Sequence, residues 1–255
     1  MDLTYDGPLA IVTLDAPPLN LFDHAMMAGL RSAISSVAAS PDARGLLIQA
    51  SGRAVSAGVD VNVFASLDPA TGETLWSEWF ELIHLIEDLP VPTVFAAHAL
   101  CLTAAFEISL ACDLLLAASS ARFGLVEIVV GLTPSMGGPQ RLAERAGPAR
   151  ARELIYSGAL YDAATLERWN VVNRVLPDEG FAEAARSFAR DLANGPTRAH
   201  AATKAIVRAA LGGGARAADE VTPAISGALF ATADLQNAVA SFLRDGPGQA
   251  TYSGR

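Results

Sequence analysis

Positive charge is scarce in this chain. Lys204 is its only lysine, arginine supplies the other basic residues, and the formal net charge is −9. That balance argues against general binding to nucleic acid or to an anionic membrane, both of which depend on basic surface. A local basic pocket for a phosphorylated ligand stays open. The near-absence of lysine reads as codon bias rather than chemistry. Cysteine is scarce as well. Cys101 and Cys112 show neither zinc-site spacing nor a C-x-x-C pattern. Both lie in apolar sequence and read as buried free thiols of a reducing compartment. The start, MDLTYDGPLAIVTLD, lacks a basic stretch followed by an apolar one, so no signal peptide is expected and the chain reads as cytoplasmic. There is no Walker-type or dinucleotide-type glycine loop and no strong internal repeat. His84 and His98 have no metal-ligand company and read as structural.

Apolar residues, by contrast, make up 51% of 255 residues, enough for one large domain or one domain plus a small appendage. The densest stretch, 91–118, is long enough to suggest a membrane span. Glu107 and Asp113 inside it, and the lack of flanking Lys or Arg, argue against one. It reads instead as core strand, turn, buried helix and second strand.

Periodicity fills in the rest. Residues 3–5, 9–14, 45–50, 92–97 and 113–117 read as strands, with 122–124 and 172–175 as short pairings. Asp23 is placed to cap a helix reaching Ala39, 71–89 is a second, and 104–111 a third. Beyond Met136 helices dominate: 138–146, 149–157, 162–169, 180–193, 197–211, 220–231 and 234–244, with a break at 212–215. This is an α/β core followed by a helical C-terminal region. The aromatics Trp76, Trp79 and Phe80 share a helix face; they either line a tunnel or pack in the core. Asp60 and Asp113 are placed to satisfy local backbone groups.

Two glutamates sit where burial is expected. Glu107 lies in the 91–118 stretch, and Glu127 lies in FGLVEIVVGLTPSMGG; neither has a basic neighbour in sequence. An isolated ionised carboxylate is costly to bury. Each could meet a distant Arg in a structural ion pair. A pair of carboxylates in apolar surroundings is also what proton-transfer chemistry requires, because burial and mutual repulsion move their pKa values. Two strands are each followed by a small-residue loop and an expected helix start: Ser56-Ala57-Gly58-Val59-Asp60, and Leu102-Thr103-Ala104-Ala105. Two N–H groups converging from such loops would form an oxyanion hole. Glu107, three residues after Ala104, would share a helix face with that donor.

The order SAGVD, LTAAFEISLACD and RFGLVEIVVGLTPSMGGPQRL resembles the crotonase superfamily, and within it most closely the enoyl-CoA hydratases. The likeness runs from PPLNLFD to the C-terminus. It implies a ClpP/crotonase-type α/β fold with repeated ββα units: a core at 1–195 and a helical trimerisation region at 196–255. It implies that the Val59 and Ala104 N–H groups hold a thioester oxygen, that Glu107 takes a proton from water, and that Glu127 protonates the α carbon. Ala57, Gly58, Asp60, Thr103, Pro134 and Ser135 would contact an acyl-CoA substrate. No metal or redox cofactor is implied, coenzyme A being part of the substrate, and the assembly expected is a homotrimer or a dimer of trimers. Other members run isomerase or dehydratase chemistry on the same scaffold, and the altered turn at Thr103–Ala105 leaves a non-catalytic acyl-CoA binder as a further alternative. The chain departs from the family where Thr103-Ala104-Ala105 replaces a glycine run, Val126 replaces a frequent proline, Val59 replaces a smaller alanine, and Ala16-Pro17-Pro18 omits a common basic residue. Methyl groups at 103–105 are expected to narrow the pocket or shift the donor. Coenzyme A phosphates would then need other partners; Lys204 and Arg244 are candidates, each alternatively a solvated surface charge.

Overall fold

The computed structural model describes residues 1–255. Its centre is a six-stranded sheet in the order β1 (Asp2–Asp6), β2 (Leu9–Leu14), β3 (Gly45–Ala50), β4 (Thr93–Ala97), β6 (Leu114–Ala118), β9 (Arg174–Leu176). Only the β1–β2 hairpin is antiparallel; every later pairing is parallel. Parallel strands are covered on both faces and therefore read as unbroken apolar runs. Residues 93–97 of β4 are buried throughout. A second, three-stranded sheet joins β5 (Leu100–Leu102), β7 (Arg122–Gly124) and β8 (Tyr161–Asp162).

Helices close the layers. α1 (His24–Ala39) is capped by Asp23, whose carboxylate accepts from Met26 N–H at 2.7 Å. α2 (Pro69–Asp88) starts two residues before the periodic pattern does, because Asp68 and Thr71 form a reciprocal capping box. α3 (Ala104–Ala111) is buried at all eight positions. α4 (Gly138–Ala146) and α5 (Pro148–Ser157) follow, then α6 (Ala163–Arg168), with Asp162 as its N-cap rather than its first residue. α7 (Phe181–Ala193) runs close against the sheet: a Cβ on Gly45 would lie 2.9 Å from the Ala193 Cβ.

The C-terminal region differs from the sequence expectation in one respect. α8 (Thr197–Ala228) is interrupted only at Gly214, at φ 79° and ψ 174°, so helix resumes before the expected start at 220. α9 is Ala233–Asp245. Within α8 only Thr197 and Ala218 are buried, and within α9 only Asp234 and Ser241. The 56-residue apolar cluster lies wholly between Leu9 and Ala193. No helix is long and apolar enough to cross a membrane.

Asp113 ties these layers together rather than serving its own turn. Its Oδ2 accepts from Thr93 N–H (2.8 Å), the Thr93 hydroxyl (2.9 Å) and Lys204 Nζ (3.0 Å). Lys204 is thus a paired, mostly buried charge and not a free surface cation. Arg244 is exposed and pairs with Asp245. Asp113→Ala would strand a fully buried N–H and an ammonium, so we expect a loss of about 2–4 kcal/mol. Urea unfolding checks this; an unchanged midpoint would show that the network contributes nothing.

Candidate active site

The parallel strands deliver two loops to one end of the sheet, where ligands of such folds commonly bind. The first follows β3. It is stitched down residue by residue: Val55 and Ser56 N–H donate to Leu100 O, Ala57 N–H to Leu19 O, Gly58 N–H to Ser56 Oγ, and Asp60 N–H to Phe22 O. Phe22 N–H in turn donates to Gly58 O. Asn20, 3% exposed, adds three side-chain bonds to the carbonyls of Ser51, Ala54 and Val55. The Val59 N–H is the one amide from Val55 to Asp60 that no protein acceptor claims. The second loop follows β4 and β5. Thr103 N–H donates to Gly124 O, and Glu107 N–H closes the first turn of α3 on Thr103 O. The Ala104 N–H, in that first turn, is unclaimed, as helix starts leave their amides.

Between the loops opens a cleft of about 620 Å³, counting the space at its mouth. Ala57, Val59, Thr103, Glu107, Glu127 and Ser135 of the expected residues line it. Gly58 and Pro134 are buried behind it. Asp60 is turned to its own helix start, where its carboxylate accepts from Asn62 N–H at 3.0 Å and Asn62 Nδ2 at 2.7 Å; it does not face the cleft. Ser135 donates its hydroxyl to Thr133 O. Of the three helix aromatics, Trp76 lines the cleft beside Phe64, with ring centroids 5.7 Å apart, whereas Trp79 is buried. Sequence reasoning missed the wall formed by Val61, Phe64, Val129 and Val130. An exposed apolar run such as Ile128-Val129-Val130 was the available signal.

Neither glutamate forms the ion pair that its isolation in sequence allowed. Glu107 is 2% exposed, and its Oε1 accepts from Met136 N–H (2.9 Å) and Gly138 N–H (2.8 Å), at the start of α4. Burial pushes its pKa up to about 7; the two amides and the Arg141 charge oppose that rise. Arg141 itself forms a bidentate pair with Glu87, at 2.7 and 2.6 Å. Gly138 has no freedom to change: a Cβ there would meet Glu107 Oε1 at 2.9 Å and Leu125 Cδ1 at 3.0 Å. Glu127 heads a short 3-10 turn, Glu127–Val130, and its Oε2 is enclosed with no partner. Burial first, then the Glu107 charge, raises its pKa to about 8. Near neutral pH the arrangement therefore favours a proton on Glu127 and a charge on Glu107, held by amides and a helix start. The two carboxylates share one cleft with Val59, and the unclaimed Ala104 N–H starts α3 between the lining residues Thr103 and Glu107. No group of three His, Cys, Asp or Glu stands close enough to hold a metal ion.

Both glutamates bind protons more tightly folded than unfolded, so the native state holds more protons between the unfolded pKa near 4.5 and the raised values. Stability must then fall as pH rises through that window. Glu127→Gln removes the ionisation of this buried group and should raise Tm at pH 9, by roughly 2–4 °C for each kcal/mol recovered, while changing little at pH 5. Melting curves at the two pH values decide it; equal shifts at both would mean that Glu127 is not held protonated.

A model of the Enoyl-CoA hydratase/isomerase family matches residues 5–249. A Mycobacterium bovis protein named "Probable enoyl-CoA hydratase echA8" is 31% identical over 248 residues, covering 97% of this chain and 96% of that one. The carnitinyl-CoA dehydratase of Salmonella enteritidis is 32% identical over 210 residues, covering 82% and 80%. An enoyl-CoA hydratase crystal structure from Geobacillus kaustophilus superposes with a TM-score of 0.93 at 29% identity, covering 100% of this chain and 98% of that one. A fold shared over the full length and a family match spanning nearly every residue agree: the chain has the crotonase fold and belongs to the enoyl-CoA hydratase/isomerase family.

Proposed function

We propose that this protein is an enoyl-CoA hydratase, adding water across the double bond of a 2-enoyl-CoA thioester to give a 3-hydroxyacyl-CoA. The observation that carries the reading is the unequal carboxylate pair: Glu107 fixed by two amides, Glu127 enclosed without a partner, both on the cleft that Val59 lines, with Ala104 at the start of the helix between the lining residues Thr103 and Glu107. In this reading the Val59 and Ala104 N–H groups hold the thioester oxygen and stabilise the negative charge that develops there. Glu107 takes one proton from a water molecule as its oxygen bonds to the β carbon. Glu127 gives its proton to the α carbon. The sum is one water added, and the proton returns from Glu107 to Glu127 between turnovers. Elimination of water retraces the same steps, so a dehydratase on a substituted acyl-CoA is the second reading, favoured by the likeness to carnitinyl-CoA dehydratase.

The acid and base must be in opposite protonation states. The kcat/KM for a short 2-enoyl-CoA should rise as pH passes about 7 and fall beyond about 8, a bell belonging to the coupled pair. Glu107→Gln and Glu127→Gln should each lower kcat by roughly two to four powers of ten. The double variant should lose much less than the product of the two, because the pair acts on one water. Loss of the enoyl absorbance follows the reaction. Near-normal hydration by either single variant would sink the assignment.

We also propose that the chain divides into a core at 1–195 and a trimerisation region at 196–255, assembling as a trimer or a dimer of trimers. The support is apolar exposure: Val207, Leu211, Phe230, Val239, Phe242 and Leu243 are each at least half exposed on one chain, more than a solvated helix layer carries. Closed rotational symmetry is the general solution for such faces. Light scattering should give three or six chains per particle; an active monomer would defeat this.

A further inference from the structure

Thr103 is unfavourable in two ways at once. Its backbone stands at φ 47° and ψ −119°, a region that side-chain-bearing residues rarely adopt and β-branched ones least of all. Its hydroxyl is enclosed, with the residue 7% exposed and Oγ1 without a partner, although buried polar atoms nearly always find one. The other positive-φ residues outside glycine are Asn20 and Asn170, of a type that tolerates the region. Glycine at 103 would relieve the backbone. Valine, of the same shape, would relieve the hydroxyl. Neither the backbone nor the hydroxyl favours a branched side chain there.

It touches Gly58. A Cβ on Gly58 would lie 2.7 Å from Thr103 Oγ1, 3.3 Å from Cγ2 and 3.6 Å from Cβ. Both branches of Thr103 therefore fill the space over the Gly58 Cα. Gly58 is the residue before Val59, and Thr103 is the residue before Ala104. Hydrogen bonds join the first loop to β5 only as far as Ser56, whose carbonyl accepts from Leu102 N–H. Beyond that point the two donor-bearing segments are spaced by packing, with Thr103 in the gap.

We propose that Thr103 is a positioning residue: its branched side chain is the wedge that sets the separation of the Val59 and Ala104 N–H donors, and through it the polarisation of the carbonyl they hold. The proposal rests on reading those two groups as the oxyanion hole. The shape of the branch does the spacing, since the hydroxyl oxygen is enclosed against Gly58 and not presented to the cleft.

The test reads the carbonyl directly. Butyryl-CoA, saturated and inert to hydration, is labelled with 13C at its thioester carbonyl and bound to the full-length protein. Isotope-edited infrared difference spectra then report the stretch, which N–H donors lower. The wild type should show a clear downward shift. Thr103→Gly should lose half of it or more, and Thr103→Val should keep it. In turnover of a short 2-enoyl-CoA, Thr103→Gly should lower kcat about tenfold or more with KM changed less than about threefold, the split expected when transition-state donors are misplaced. Circular dichroism confirms the fold of each variant before either reading. A full shift in Thr103→Gly would overturn the wedge alone. A shift lost equally in Thr103→Val would assign the effect to the hydroxyl and overturn it too. A wild type with no shift would remove the donor assignment beneath it. Because the spectrum needs no turnover, a failure of the hydratase reading leaves this result standing.

Discussion

A carboxylate sunk in an apolar helix is the constraint around which this molecule is arranged. Glu107 sits on α3, whose eight residues are all buried. Its ionised form is tolerable only because α4 begins beside it and turns the Met136 and Gly138 amides toward Oε1. That single contact fixes much else. It requires a glycine at 138, where any Cβ would collide with the carboxylate. It orients α4 so that Arg141 adds a favourable charge nearby while staying neutralised by Glu87. It also ties the second half of the chain, which begins with α4, to the strand-and-loop half that carries Val59 and Ala104.

The asymmetry of the pair follows from the same contact. Two like carboxylates close together cannot both ionise freely. The one with amide partners keeps its charge more easily, and the one without takes the proton. Glu127 has a short 3-10 turn ahead of it and no capping partner behind, so nothing in the protein competes with a ligand or a proton for its Oε2. The two carboxylates are thus distinguished by backbone geometry rather than by residue type. A sequence that shows two glutamates does not show that difference.

Much of the rest was legible. The strands β2, β3, β4 and β6 are apolar runs bounded by turn residues, and Asp23 caps α1 as its position suggested. The Val59 and Ala104 amides, singled out by small residues ahead of expected helix starts, have no protein acceptor, although Val59 leads into a short 3-10 turn rather than a full helix. What was not legible depends on distant partners. Asp113 looked like a local cap but binds Thr93, twenty residues away, and Lys204 on α8. Strands β5 and β8, of three and two residues, are too short to leave a periodic signal. Gly214 alone interrupts α8, because the neighbouring glycines keep helical torsions that their lack of a side chain permits but does not require. The place of Asp60 was half readable: its type suited a cap, and a cap is what it is, facing Asn62 rather than the cleft.

The wall of the cleft bears on which acyl group the scaffold suits. Apart from the two glutamates, its lining has no charged side chain; Val61, Phe64, Trp76, Val129, Val130 and Leu132 make most of it apolar. A carboxylate at the far end of an acyl chain would lose its hydration there with no cation to replace it, a heavy penalty. A plain alkyl chain is accepted by the same wall through burial alone, at roughly 25 cal/mol for each Å² removed from water. The proposed chemistry at the thioester end is common to all these chains. The segments that place Val59 and Glu127 also supply much of the apolar wall: Val61 and Phe64 follow the first, and Val129 and Val130 follow the second.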